Sequence, residues 1–168
     1  MMRLKLRYLS RGGGCMVVAV AVLSLSSSDG LAQDTGSPFT QAEVVAGHAS
    51  YHDYCAGCHG DELQGGGLQG GGDAPQLTGP NFNQDWSKQT IRVLYQYVSK
   101  TMPDGLAGDL SAKAYSDILS FLLAANGAKP GSAPFNPNSD IKIGDIANGH
   151  IVTAVINAPI DAQAGASQ

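Results

Sequence analysis

Apolar side chains recur with helical spacing in two segments of the second half of the chain. One stripe occupies positions i, i+3, i+4 and i+7: Ile91, Leu94, Tyr95 and Val98. A second stripe has the same character: Tyr115, Ile118, Leu119 and Leu122. Such stripes predict amphipathic helices. Thr90 lies at the start of the helix that carries the Ile91 stripe, and Pro103 marks its end or the turn just after it. Ser111 is suited to cap the second helix, and Gly127 to follow its last turn.

A further helix is predicted by a capping sequence earlier in the chain. In Thr40-Gln41-Ala42-Glu43, the Thr hydroxyl and the Glu carboxylate can satisfy backbone amides at a helix start. We expect this helix to run from about Gln41 to Tyr54 and to lead directly into Cys55.

Glycine dominates the segment between residues 61 and 75. Its sequence, DELQGGGLQGGGDAP, contains LQGGG twice in tandem and predicts a flexible loop. A phosphate-binding loop is disfavoured, because no Gly-Lys-Ser/Thr ending and no preceding apolar strand accompany the glycines.

The composition changes after Lys129, where Pro, Asn, Gly and Ser become frequent. In this tail, isoleucines at 141, 143 and 146 and the β-branched segment 151–156 could pair as a short strand against the domain or dock on a partner. A partly disordered extension is the alternative. We therefore separate residues 131–168 from the preceding domain as an extension of unknown role.

The first 32 residues have the features of a secretory signal. A basic start is followed by an apolar run, Cys15 to Leu25, which is too short to span a bilayer, and by small residues up to Ala32. We expect cleavage near Ala32 and export to the periplasm of a Gram-negative type of bacterium, with no stable membrane span afterwards. A retained membrane anchor is the alternative. Cleavage leaves two cysteines, Cys55 and Cys58, and one methionine, Met102.

The charge of the chain narrows the classes of partner. The formal net charge of −4 becomes −7 when the signal, with its four basic residues and Asp29, is removed. The sequence has no basic stripe with interleaved aromatic residues, which argues against nucleic acid and against anionic membrane surfaces as partners. A partner that is steered by electrostatics should be basic where it docks.

The sequence Cys55-Ala56-Gly57-Cys58-His59 is a C-x-x-C-H motif, which attaches c-type haem. Two thiols at this spacing can reach the two vinyl groups of the macrocycle, and the adjacent imidazole is then placed under the iron. A covalent haem would also supplement the core of a chain with 22 glycines and only 7% aromatic residues. Three alternatives remain: a zinc site, which needs two further ligands, a thioredoxin-like pair, which needs a preceding strand, and a structural disulfide, which leaves His59 without a role.

Met102 is the candidate for the second axial ligand of such a haem. It lies in a Thr-Met-Pro turn between two predicted helices, outside both apolar stripes. Ligation by His and Met is typical of electron-transfer cytochromes, because the thioether favours ferrous iron. Core packing is the alternative for a lone methionine. We expect His48 and His52, spaced i and i+4, to be solvated, and His150 is a weaker alternative ligand.

Over residues 41–131 the chain resembles class I cytochromes c, and more narrowly the single-haem cytochromes associated with bacterial quinoprotein (PQQ-dependent) dehydrogenases. The features that carry the resemblance are Gly47, Tyr51, CAGCHG at 55–60, LTGPNF at 77–82, Trp86, TMP at 101–103, Tyr115 and Asn126-Gly127. The resemblance implies an all-α class I fold, with three to four helices around one haem c attached through Cys55 and Cys58.

The resemblance also implies roles for residues outside the attachment motif. The carbonyl of Pro80 would accept a hydrogen bond from the His59 imidazole, and Trp86 would lie at the haem. Gly47 and Tyr51 would lie where the helix predicted at 41–54 crosses the helix that begins after Ser111.

We therefore predict a signal peptide at 1–32, a cytochrome c domain at 33–130 and the extension at 131–168. With His59 and Met102 as iron ligands, the expected function is one-electron transfer by Fe(III)/Fe(II) cycling and not enzymatic catalysis. The resemblance implies a periplasmic dehydrogenase, such as a quinoprotein dehydrogenase, as electron donor, with a terminal oxidase or another cytochrome as acceptor. A haem enzyme or ligand sensor with an open distal position is the alternative function.

Overall fold

A computed structural model describes residues 37–66 and 73–160 of the 168-residue chain. These residues form seven helices: α1 Gln41–Tyr54, α2 Ala56–His59, α3 Gly79–Trp86, α4 Ile91–Thr101, α5 Ala112–Ala125, α6 Ile143–Ile146 and α7 Thr153–Ile156. Within the same residues, β-type pairing is limited to two isolated bridges, Thr40 with Gly131 and Thr90 with Lys142. The expected all-α fold class is confirmed.

The three long helices begin where the sequence predicts. Thr40 caps α1 with a complete capping box, in which Glu43 N donates to the Thr40 hydroxyl and Thr40 N donates to the Glu43 carboxylate. Thr90 and Ser111 accept from backbone amides in the first turns of α4 and α5 in the same way. Gly127, with a φ of 99°, follows the end of α5. Because each cap satisfies a backbone group that the helix itself leaves unpaired, local sequence is sufficient to place these boundaries.

Helices α1 and α5 cross at the centre of the domain, and a glycine permits their close approach. A Cβ atom on Gly47 would lie only 1.8 Å from the backbone oxygen of Asp117, so no side chain fits at this point. Beside the crossing, the ring of Tyr51 lies 5.4 Å from the ring of Phe121. The expected positions of Gly47 and Tyr51 are confirmed.

Helix α5 is buried on nearly all sides, which its single apolar stripe does not predict. Residues outside the stripe are buried as well: Phe121, Leu123, Ala124 and Ala125. Helix α1 covers one side, and the C-terminal tail covers another through α7, where Val152 N donates to Ala125 O at 2.9 Å.

The described part of the tail, residues 131–160, packs on the helical core. Four of its side chains belong to the hydrophobic core: Phe135, Ile143, Ala147 and Ile156. Backbone hydrogen bonds join the tail to the connection between α3 and α4, since Ile143 N donates to Gln89 O at 2.9 Å and Ile91 N donates to Ile141 O at 3.1 Å. Of the alternatives left open for the tail, these residues therefore pack against the domain. Residues 153–156 form the helical turn α7 and not a strand.

Within residues 37–66 and 73–160, no helix has both the length and the apolar character that crossing a membrane requires. The predicted signal segment, residues 1–32, lies outside the described residues.

Candidate haem site

The C-x-x-C-H motif forms a single helical turn that directly follows α1. Cys55 is the N-cap of α2, and the amides of Cys58 and His59 donate to its carbonyl at 3.1 and 2.9 Å. Both cysteines are free thiols, and Cys58 is exposed. Burial raises the pKa of the Cys55 thiol to about 12, and the nearby Cys58 adds to the rise, so Cys55 is held as a neutral thiol. A helix precedes the motif, unlike the strand that a thioredoxin-like pair requires.

The residue after the motif is anchored to α1. The Tyr51 hydroxyl donates to the Gly60 carbonyl at 2.7 Å. Burial raises the pKa of Tyr51, and Cys55 and Asp61 add to the rise. The hydroxyl therefore stays protonated and remains a donor, which fixes the end of α2 against the core.

The imidazole of His59 is buried and oriented by a backbone carbonyl. Its Nδ1 atom lies 2.9 Å from the Pro75 oxygen, and the residue is 9% exposed. Because a carbonyl can only accept, Nδ1 carries the proton, and the lone pair of Nε2 is left free to bind a metal.

Pro75 takes the role that the sequence assigns to Pro80, so the prediction for Pro80 is wrong. Pro80 lies in the first turn of α3, where its fixed φ angle suits a helix start. Pro75 lies earlier, at the end of the glycine-rich loop and outside any helix, and its carbonyl accepts from His59.

The two arms of the glycine-rich loop run side by side and bring Pro75 to His59. Leu77 N donates to Leu63 O at 2.9 Å, and Gly66 N donates to Ala74 O at 3.0 Å. Gly65 faces the returning arm, and a Cβ atom on it would lie 2.7 to 2.9 Å from backbone atoms of residues 74–76. Its φ of 78° also favours glycine. This close approach therefore requires a glycine at position 65.

Asn126 holds the continuation of the same arm against the end of α5. Its side chain is fully buried. Its Oδ1 atom accepts from Gly79 N at 3.0 Å, and its Nδ2 atom donates to Leu77 O and Leu122 O at 2.9 Å. Two of these bonds fix residues 77 and 79, so Asn126 stabilises the position of the segment that follows Pro75.

Met102 and Trp86 lie at the ends of the helices that flank the α3–α4 connection. Met102 is the C-cap of α4, is partly buried, and accepts at its carbonyl from the Tyr115 hydroxyl at 2.8 Å. Trp86 ends α3, and its ring lies 5.2 Å from the ring of Tyr97. Ligation of iron by Met102 and contact of Trp86 with a haem stay predictions.

His48 differs from its expected solvated state. It is 6% exposed, its ring stacks on Phe121 at 4.7 Å, and its Nδ1 atom has no hydrogen-bond partner among the described residues. Burial lowers the pKa of His48, and the neighbouring His52 lowers it further, so the ring is neutral. Residues 44, 47, 48 and 51 share one buried face of α1, a spacing visible in the sequence. His52 is exposed, as expected, and lies 3.4 Å from Asp61, while His150 is exposed in the tail.

The residues at α2 fit a c-type haem. Two free thiols stand two residues apart, and the neighbouring imidazole has its Nδ1 committed to a carbonyl and its Nε2 available. In the part of the chain that the structure describes, no group of three or more His, Cys, Asp or Glu side chains is arranged to hold a metal ion. The donor set present at this turn is thus two thiols followed by one imidazole, the set that covalent haem attachment requires.

The sequence interpretation missed the roles of three residues at this site: Pro75, Gly65 and Asn126. Pro75 ends the glycine-rich segment and could have been weighed beside Pro80 as the residue whose carbonyl accepts from His59. The sequence contains no signal that separates Gly65 from the other loop glycines. Asn126 was noted only as part of the resemblance, and two of its three hydrogen bonds, to Gly79 N and Leu77 O, join segments far apart in sequence.

Residues 42–122, just under half of the chain, match the family model described as cytochrome c oxidase, cbb3-type, subunit III. No curated protein and no solved structure matches the chain. The family match supports a c-type cytochrome, that is, a haem-based electron-transfer protein with a covalently bound haem c. Together with the helices described above, this similarity is consistent with the all-α class I cytochrome c fold.

Proposed function

We propose that the chain is an exported, single-haem c-type cytochrome that carries one electron at a time between periplasmic redox proteins. The observation that supports this most directly is the arrangement at α2. There the His59 Nδ1 lies 2.9 Å from the Pro75 carbonyl, and the two cysteines of the motif are free thiols. A carbonyl in this position fixes the ring orientation and raises the basicity of the nitrogen that binds iron.

Each residue of the proposed site has a separate task. Cys55 and Cys58 would hold the haem covalently, His59 would offer Nε2 as one iron ligand, and Met102 would offer its thioether as the other. Trp86 would contact the haem. When bound, the haem would supply the reversible one-electron Fe(III)/Fe(II) couple. With both His59 and Met102 as ligands, the site would pass electrons and exclude small substrates from the iron.

The distribution of charge supports a basic redox partner. Between residues 33 and 87, the segment that carries the attachment motif, the sequence contains no Lys and no Arg. Five carboxylate residues in the described part of this segment are exposed: Asp53, Asp61, Glu62, Asp73 and Asp85. A basic patch on a partner would be steered toward this segment. We propose a periplasmic quinoprotein dehydrogenase as the donor and a terminal oxidase or another cytochrome as the acceptor.

The test of haem attachment uses the full chain, expressed in a Gram-negative host that has a haem-attachment system. Mass spectrometry under denaturing conditions should find a chain that lacks residues 1–32 and carries the mass of one haem. The double variant Cys55→Ser/Cys58→Ser should carry none. A wild-type chain without added haem mass would overturn the proposal.

Two further measurements separate the finer parts of the proposal. The ferrous protein should not bind carbon monoxide; rapid binding would instead favour a haem enzyme or ligand sensor with an open distal position. Reduction by a purified quinoprotein dehydrogenase should slow as ionic strength rises, because salt screens charge steering. If this dehydrogenase does not reduce the protein at any ionic strength, the proposed donor is wrong.

A further inference from the structure

One tyrosine hydroxyl joins the two ends of the turn that follows α4. Tyr115 lies in the first turn of α5, and only 3% of it is exposed. Its hydroxyl donates to the Met102 carbonyl at 2.8 Å and accepts from the Gly108 amide at 3.1 Å. A phenol can make both bonds at once because it is a donor and an acceptor.

The turn that this hydroxyl ties down is otherwise open to solvent. Residues 104–109 are exposed. Backbone bonds of the turn are internal, with Leu106 N donating to Pro103 O at 2.9 Å and Asp109 N donating to Leu106 O at 3.1 Å. These local bonds shape the turn but do not connect it to the helices. The Tyr115 hydroxyl does connect it, through Met102 at one end and Gly108 at the other.

Both backbone polar groups of Met102 are therefore held by the core. Its amide donates to Val98 O at 2.9 Å as the last bond of α4, and its carbonyl accepts from Tyr115. With the two flanking peptide groups fixed, the direction of the bond from Cα to Cβ is fixed as well. The Tyr115 ring is itself held by Tyr95, whose ring meets it edge-on at 6.4 Å.

We propose that Tyr115 is a positioning residue, which holds the backbone of Met102 so that the thioether stays on the iron. This inference rests on the proposed function, because it takes Met102 to be the distal ligand. The free energy that keeps the thioether bound then includes the two hydrogen bonds of the Tyr115 hydroxyl. Removing them raises the population of an open distal position, and an added ligand binds that open form.

The test compares cyanide binding by ferric holoproteins at one pH. Tyr115→Phe keeps the buried ring and removes only the hydroxyl. We expect its cyanide affinity to be about tenfold higher than that of the wild type, the factor that corresponds to the net contribution of one to two hydrogen bonds. Tyr97→Phe is the matched control, because Tyr97 is 48% exposed, and it should bind cyanide like the wild type.

A double-mutant cycle separates positioning from general stabilisation. In the Met102→Ala background the site is already open, so Tyr115→Phe should change the cyanide affinity no further. Circular dichroism and urea unfolding verify that each variant is folded and give its stability. A Tyr115→Phe variant that is less stable but binds cyanide like the wild type has only a structural role, and the inference fails.

The same data distinguish failure of this inference from failure of the proposed function. If Met102→Ala itself leaves the ferric spectrum and the cyanide affinity unchanged, Met102 is not the distal ligand. The ligand assignment in the proposed function and the positioning role of Tyr115 are then both refuted. If Met102→Ala opens the site but Tyr115→Phe does not, the ligand assignment stands and the role of Tyr115 is refuted.

Discussion

Asn126 gives the clearest test of how the fold holds the segment that orients His59. Asn126→Ala removes three buried hydrogen bonds, to Gly79 N, Leu77 O and Leu122 O. Each bond contributes about 1 kcal/mol net, and a buried amide left without a partner adds to the cost. We therefore expect the free energy of unfolding to fall by about 3 to 4 kcal/mol, a large part of the roughly 5 to 15 kcal/mol that a domain has.

Urea unfolding of the holoprotein, followed by far-ultraviolet circular dichroism, measures this loss. Asn81→Ala is the matched control, because it removes one exposed side-chain bond, to Gln76 at 3.2 Å, and should cost less than about 0.5 kcal/mol. A loss below about 1 kcal/mol for Asn126→Ala, or one equal to that of the control, would refute the reasoning that Asn126 fixes this arm.

Three more variants probe the loop, the tail and the buried histidine. Gly65→Ala should destabilise the holoprotein by about 2 kcal/mol more than Gly66→Ala in urea unfolding, because both have a positive φ but only residue 65 would meet the returning arm; equal losses would contradict the close approach. Ile143→Ala should lower the free energy of unfolding by about 2 to 4 kcal/mol, because Ile143 is fully buried. Ile151→Ala, at a site that is 39% exposed, should lower it by about 1 kcal/mol or less. Similar losses for the two variants would show that the tail is not part of the core. The lowered pKa of His48 means that, as the pH falls, the imidazole gains a proton in the unfolded chain before it does so in the folded chain. The free energy of unfolding should therefore fall from about pH 6.5 down to the lowered pKa of the folded state. Thermal unfolding at several pH values should show a smaller fall for His48→Phe than for the wild type, and an equal fall would contradict this prediction.

The three long helices, α1, α4 and α5, follow from local sequence, whereas the short helices α2 and α3 were not predicted. The caps at Thr40, Thr90 and Ser111 depend on hydrogen bonds that span three residues. The place of Gly47 was an expectation from the resemblance to class I cytochromes c, and the structure supplies its steric reason, since no side chain fits between α1 and α5 there. Such features are decided by neighbours in the sequence or by a single steric requirement.

The parts that the sequence did not predict depend on contacts between distant segments. Pro75 reaches His59 because the two arms of the loop pair with each other, and nothing in the run of glycines specifies that pairing. His48 is buried because its face of α1 meets α5. The tail lacks the long apolar periodicity of a helix, yet Ile143 is fully buried because backbone bonds to the α3–α4 connection place it on the core.

An equilibrium redox titration of the purified holoprotein, followed by its visible spectrum, tests the central claim most directly. We predict a single one-electron transition between ferric and ferrous states of one low-spin haem, and a lower potential for Met102→Ala because the thioether favours ferrous iron. A protein without a haem spectrum, or a Met102→Ala variant with an unchanged potential and ferric spectrum, would contradict the account.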